Sequence, residues 1–133
     1  GTEKLNWQIL QSHYQSDGYR QNSKMRRDLT QGSLNWQSGV KNRVEAFMLY
    51  GNLAYRTPGG LTLAQVNADP TQARPPTPVL PGAVQQQAAV YNKTLLAGIT
   101  DTYKFNKHWT NSTTITAMMV RLATEIWITP QWR

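Results

Sequence analysis

The sequence predicts an all-β fold built from long antiparallel strands, and three observations lead there. Helical periodicity is weak along most of the 133 residues, whereas apolar and polar side chains alternate with period two over several runs. Those runs are rich in β-branched and aromatic residues, which suit a pleated, half-buried surface. The connections between them alternate in length: long, short, long, short.

The first run begins Leu5-Asn6-Trp7-Gln8-Ile9, alternates apolar residues with amides, and continues through Leu10 and Ser12 to Tyr14. A polar, basic stretch with Asp17-Gly18, Arg20, Lys24, Arg26 and Arg27 separates it from a second run, which starts near Leu29 and includes Leu34-Asn35-Trp36-Gln37. A short turn, Ser38-Gly39-Val40-Lys41-Asn42, leads to the third run, where Val44, Ala46, Met48 and Tyr50 share one face while Phe47 and Leu49 occupy the other. A long segment over about 56–88 follows, broken by Pro58-Gly59-Gly60, Pro75-Pro76 and Pro81-Gly82. Within it, residues 61–68 suit two turns of helix that stop near Asp69-Pro70. Leu95, Ala97 and Ile99 then alternate toward Tyr103-Lys104-Phe105, the turn Asn106-Lys107-His108 intervenes, and Thr113-Thr114-Ile115-Thr116-Ala117 reads as strand.

The runs reach roughly 9–16 residues, against a globular mode of about 5–6 and about 9–11 for a tilted strand that crosses a bilayer. Outer-membrane barrels also give the alternation of connection lengths a cause, because short periplasmic turns and long extracellular loops lie on opposite sides. A soluble antiparallel sheet with generous loops explains the same pattern. The residues alone leave the two open.

Composition narrows the function classes. Apolar residues make up 39% and charged residues only 16%, so much of the polarity is uncharged Asn, Gln, Ser and Thr. Five Trp and six Tyr stand against two Phe. Trp and Tyr pair an apolar body with a polar tip, which suits boundaries wet on one side, such as a membrane interface. The net charge of +7 fits an acidic ligand, nucleic acid or an anionic lipid surface. With no cysteine, disulfides and thiolate metal sites are excluded. No stretch approaches the roughly 20 apolar residues of a spanning helix. The opening Gly1-Thr2-Glu3-Lys4 starts in mid-pattern, as at a cut end, without a cleavable signal.

Several segments carry a family resemblance. The stretch Tyr55-Arg56-Thr57-Pro58-Gly59-Gly60-Leu61-Thr62-Leu63-Ala64-Gln65 and its continuation Asn67-Ala68-Asp69-Pro70-Thr71-Gln72-Ala73-Arg74-Pro75 resemble TonB-dependent outer-membrane receptors of the siderophore and ferric-citrate types. Upstream, Gly18-Tyr19-Arg20-Gln21-Asn22-Ser23 resembles the stretch that precedes it there, and residues 92–109 resemble the hairpin that follows. The likeness covers roughly residues 4–117. It implies that the chain is part of a transmembrane β-barrel in the bacterial outer membrane. On that basis 1–133 is one partial barrel domain, an antiparallel meander whose long loop is extracellular and carries a short helix. It implies uptake of a ferric chelate or similar small ligand, with TonB reached only through a plug domain that this stretch does not contain. Beyond Ala117 the likeness ends. There the family leads one to expect a polar, aromatic extracellular loop, and residues 118–133 read as a divergent end.

Candidate sites follow from the same reading. Arg56 and Arg74 flank the loop helix, and guanidinium forks suit the carboxylates or phosphates of an anionic chelate; the structural alternative is that one ends a strand and the other ties down the loop. Trp7, Trp36 and Trp109 fall near inferred strand ends, where aromatic girdles sit. Arg20, Lys24, Arg26 and Arg27 read first as a solvated charge run, and second as an outer surface toward phosphate-bearing lipid. Gly59-Gly60 lacks the following Lys and Ser/Thr of a phosphate loop. His13 and His108 lie far apart, and Asp101 and Glu125 have no carboxylate partner at useful spacing, so neither metal, cofactor nor catalysis is expected. Nucleic acid is not expected either, since no stacking aromatics interleave with the basic residues. Two other readings stand beside transport. One is a soluble basic β-sheet module that binds polyanions; the other is an assembly of partial sheets pairing edge to edge, because open edges in lipid cost several kcal/mol per unpaired group.

Overall fold

The computed structural model describes residues 4–125, the Glu125 side chain excepted. The chain is all-β, a five-stranded antiparallel meander in the order β1-β2-β3-β4-β5, and the sheet is not closed. The strands are β1 (Leu5–Ser16), β2 (Met25–Gln37), β3 (Asn42–Arg56), β4 (Ala89–Lys104) and β5 (Thr110–Glu125); two short helices, α1 (Leu63–Ala68) and α2 (Ala83–Gln86), lie between β3 and β4. The strands hold 12 to 16 residues.

Two strand boundaries correct the sequence expectation. β2 begins at Met25, so Arg26 and Arg27 belong to a strand and point to opposite faces instead of sharing a solvated loop. Cross-strand pairing with β1 and β3 outweighs the polarity of the segment there. β5 continues to Glu125, so residues 118–125 are strand and not the polar loop expected after Ala117. Met118, Met119, Val120 and Leu122 put apolar side chains on both faces, which erases the period-two signal without weakening the strand. Gly1-Thr2-Glu3 and the Trp127-Ile128-Thr129-Pro130 end lie outside the described residues.

The contacts separate into two units, each drawing on segments from along the whole chain. The first comprises Gly1–Ser12, Asp28–Gly51 and Lys93–Val120. It contains both short turns, closed by Ser38 N donating to Asn42 O at 3.0 Å and Phe105 N to Trp109 O at 3.0 Å, and these bonds fix the register together with Gln37 N to Lys4 O at 2.7 Å and Lys104 N to Lys41 O at 2.8 Å. The Asn106 carboxamide oxygen accepts from the backbone N–H of His108 and Trp109 at 2.8 and 3.0 Å, an Asx turn that reverses the chain between β4 and β5.

That register sorts the side chains of this unit onto two different faces. One carries Asn6, Gln8, Gln31, Ser33, Asn35, Arg43 and Glu45, and a hydroxyl ladder in which Thr100 meets Thr114 at 2.9 Å and Thr102 meets Ser112 at 3.2 Å. Arg43 bridges Asn35 and Glu45 here. Phe47 lies over Gly98 on the same side, and a Cβ at Gly98 would stand 2.7 Å from the ring Cζ. The other face carries Trp7 and Ile9 of β1, Leu34 and Trp36 of β2, Val44, Ala46, Met48 and Tyr50 of β3, Leu95, Ala97 and Ile99 of β4, and Ile115, Ala117 and Met119 of β5. Successive strands thus place apolar residues opposite one another in a continuous band.

The second unit comprises His13–Arg27, Asn52–Asn92 and Arg121–Arg133, and holds both long connections. It contains the residues that count as a core: Ala73, Ala83, Ala89 and Gln86 are buried. No large side chain is fully buried among the described residues, and Trp7, Ile9, Ile115 and Met119 are 61 to 73% exposed. A sheet that leaves so much apolar surface in water lacks the burial that ordinarily offsets chain entropy.

Candidate functional site

The connection over residues 57–88 is held by short-range order in its own unit. Thr62 caps α1, accepting from Gln65 N at 3.3 Å while the Gln65 carboxamide accepts from Thr62 N at 2.9 Å, a reciprocal capping box. Asp69 accepts from Thr71 through both its hydroxyl (2.6 Å) and its backbone N–H (2.9 Å). These two bonds, the hydroxyl first, hold the Asp69 carboxyl below its ordinary range.

The segment between β1 and β2 forms the clamp. Gly18, at φ +77°, and Asn22, at φ +54°, both adopt the left-handed region. From there the Asn22 carboxamide donates to Thr57 O at 2.9 Å, Ala88 O at 3.3 Å and Ala83 O at 3.4 Å, so one side chain ties together the start and the end of the long connection. Arg20 donates through Nη2 to Gly59 O (2.9 Å) and Gln72 O (3.0 Å), and through Nε to Gln72 O. Gln21 adds a backbone bond to Thr71 O at 2.7 Å. Arg20 is therefore a structural fork and not a solvated charge. The stretches at 18–23 and 55–75, which stand out separately in the sequence, are bound to each other here.

Arg74 lies at the centre of the same clamp. Its Nη2 donates to Pro81 O at 3.1 Å and to the carboxamide of buried Gln86 at 3.0 Å, while its backbone pairs with Pro58 O and Ala83 N. Gly59, at φ +74°, passes so close that a Cβ would stand 2.8 Å from the Arg74 Cβ, so only glycine fits there without displacement. The nitrogen at the tip of the Arg74 guanidinium is thus committed within the protein.

Arg56 is placed differently. It ends β3, is exposed, and shares the lining of a hollow of about 400 Å³ with Lys24, Arg26, Gln15 and Tyr91. It also lines a second hollow with Gln21, Asn22, Lys24 and Val84. Lys24 reaches Asp17 at 3.6 Å, both side chains largely exposed, and Arg27 lies over the Tyr14 ring at 5.8 Å.

The three tryptophans lie in the first unit. Trp7 and Trp36 sit diagonally across β1 and β2 at the turn side of the apolar band, and Trp109 closes the last turn, 71% exposed. Tyr103 and Phe105 join them, edge to face at 5.0 Å. Tyr103 and Phe105 were legible only as continuations of a strand, and the register is what gathers them with the tryptophans. His13 and His108 fall in different units and Asp101 belongs to β4. No cluster of three metal-ligating residues occurs among the described residues. No helix is long and apolar enough to cross a membrane, a criterion that does not address strands.

In comparison with known proteins, no family model matches the chain and no curated protein is similar to it.

Proposed function

We propose that this chain is a wall segment of an outer-membrane β-barrel of the TonB-dependent receptor type, taking part in the uptake of a ferric chelate or similar small ligand. One observation carries the reading: on one face of the sheet in the first unit, an apolar band crosses every strand, while the opposite face carries amides, hydroxyls and an Arg–Glu pair interspersed with Leu10, Leu29, Phe47, Leu49, Leu96, Met118 and Val120. Spanning barrels need this dyad pattern, with lipid outside and a polar lumen within. Trp7, Trp36, Tyr103 and Trp109 gather at the turn side of the band, where an interfacial girdle belongs. The clamped connection over 57–88 then stands as the extracellular loop, and Arg56 is its exposed candidate for contact with an anionic ligand.

A barrel wall needs its edges paired, because unsatisfied backbone groups in lipid cost several kcal/mol each. β1 and β5 are the free edges of the described sheet, to be met by further strands or by other copies. The test is size-exclusion chromatography with far-UV circular dichroism of the chain, with and without mild detergent. β-Structure of discrete size only in detergent supports the wall. A discrete folded species in plain buffer refutes it and favours a soluble basic sheet.

A further inference from the structure

The apolar face of the β4–β5 hairpin in the first unit carries one carboxylate, Asp101. Phe105 and Trp109 close the hairpin, and Thr100 meets Thr114 and Thr102 meets Ser112 on the polar face. The same register puts Ala97 opposite Ala117, Ile99 opposite Ile115 and Asp101 opposite Thr113 on the apolar face. These three pairs line a groove of about 350 Å³, shallow over the alanines and apolar except at the Asp101 end. Asp101 is half-buried, and no hydrogen bond or ion pair joins its carboxylate to another described residue. Across the other strand boundary it faces Val44, so no cation stands opposite it on either side. A carboxylate set into an apolar surface loses solvation that only a cation or hydrogen-bond donors restore.

The turn side of Asp101 supplies the matching chemistry. Tyr103 is the next residue along on the same face, about 7 Å away at the rise of a strand. Its ring meets Phe105 edge to face at 5.0 Å, and Trp109 stands opposite Phe105, 71% exposed. Aromatic faces attract ammonium groups. Asn111, opposite Tyr103, donates through its carboxamide to the Thr113 hydroxyl at 3.0 Å, which puts two neutral polar groups beside the carboxylate.

We infer that this groove seats a phospholipid with a primary-ammonium headgroup. One acyl chain lies over Ala97 and Ala117, the ammonium sits against Asp101 beside the aromatic rings, and the phosphodiester is turned toward Asn111 and Thr113. A primary ammonium brings three N–H donors to the carboxylate. A quaternary ammonium brings none, and a glycerol headgroup leaves only the phosphate charge, which Asp101 repels. The inference rests on the wall reading, because only a lipid-facing band gives the groove an acyl chain to hold.

The experiment incubates the full chain in a non-ionic detergent with equimolar phosphatidylethanolamine and phosphatidylglycerol of the same acyl length. Native mass spectrometry counts the lipid retained, and flotation with phosphatidylcholine vesicles is read alongside. The parent chain is expected to retain phosphatidylethanolamine at least five-fold over phosphatidylglycerol. Asp101→Asn is expected to lose that preference, Asp101→Glu to keep most of it, and Asp17→Asn, in the second unit, to change it less than two-fold. Ala117→Phe, which fills the groove, is expected to lower retention of both lipids together. Circular dichroism checks that each variant is folded. A chain that floats with vesicles yet retains the two lipids equally, or an Asp101→Asn variant that keeps the preference, overturns the inference and leaves the wall reading standing. A parent chain that floats with no vesicle overturns both.

Discussion

Leu34→Lys and Ser33→Lys place the same charge on adjacent residues of β2, yet the barrel-wall reading predicts opposite outcomes. Leu34 lies in the apolar band beside Trp7 and Ala46, and Ser33 points to the polar face. A lysine on the lipid face of a barrel costs about 2–4 kcal/mol at the bilayer midplane and about 0–1 kcal/mol near the interfaces, where Leu34 lies opposite Trp7, whereas a lumen-facing lysine stays hydrated. At 1.4 kcal/mol per factor of ten, a cost of about 1 kcal/mol at that depth means Leu34→Lys should lower partition of the folded chain into neutral phosphatidylcholine vesicles by roughly five-fold. Ser33→Lys should change it by less than about three-fold, in keeping with an exchange between hydrated side chains. Vesicle flotation, with circular dichroism of the floated fraction, reads both. In a soluble sheet Leu34 is already 36% exposed, and its replacement would cost about 1 kcal/mol of folding with no partition to lose. Equal losses in the two variants, or vesicle binding by neither these nor the parent chain, would refute the facial assignment.

Three further outcomes follow from the geometry. Asn22→Ala takes the carboxamide donor from the Thr57 carbonyl, leaves Ala88 O only its bond from Thr57 N, and forces alanine into the left-handed region, so the second unit should lose about 2–3 kcal/mol; Asn22→Gly keeps the backbone freedom and should lose less, as read by hydrogen exchange over residues 57–88. Gly98→Ala drives a methyl into the Phe47 ring and should cost about 1–3 kcal/mol, relieved by Phe47→Leu in a denaturation double-mutant cycle. The Asp69 carboxyl is lowered from 3.8 by its bonds to Thr71, so whatever order it gives the turn is present above that value and is lost only as pH falls through its lower folded value; Thr71→Ala should move its NMR titration midpoint upward.

How far the sequence reveals the fold depends on what each signal reports. Alternation at Leu5-Asn6-Trp7-Gln8-Ile9 marks a strand because one side of β1 is polar, and that is a local property. Residues 118–125 show no alternation, since Met118 and Val120 are as apolar as Met119 on the other side, so the strand there becomes visible only through its pairing with β4. Arg26 and Arg27 mislead for the converse reason: two adjacent cations resemble a solvated loop until pairing sends them to opposite faces.

The arginines show the same division at the level of the candidate site. Guanidinium chemistry singles out Arg20, Arg56 and Arg74 equally, because sequence gives the donor and not its acceptor. Backbone carbonyls are what separate them. Pro81 O holds Arg74, and Gly59 O and Gln72 O hold Arg20. Arg74→Ala should therefore act on the loop before any ligand does. It strips the donor from buried Gln86, costing about 1–3 kcal/mol, and should raise proteolytic cleavage within residues 57–88. Unchanged protease resistance would instead mean that Arg74 does not hold the loop, and the clamp described for it would be wrong.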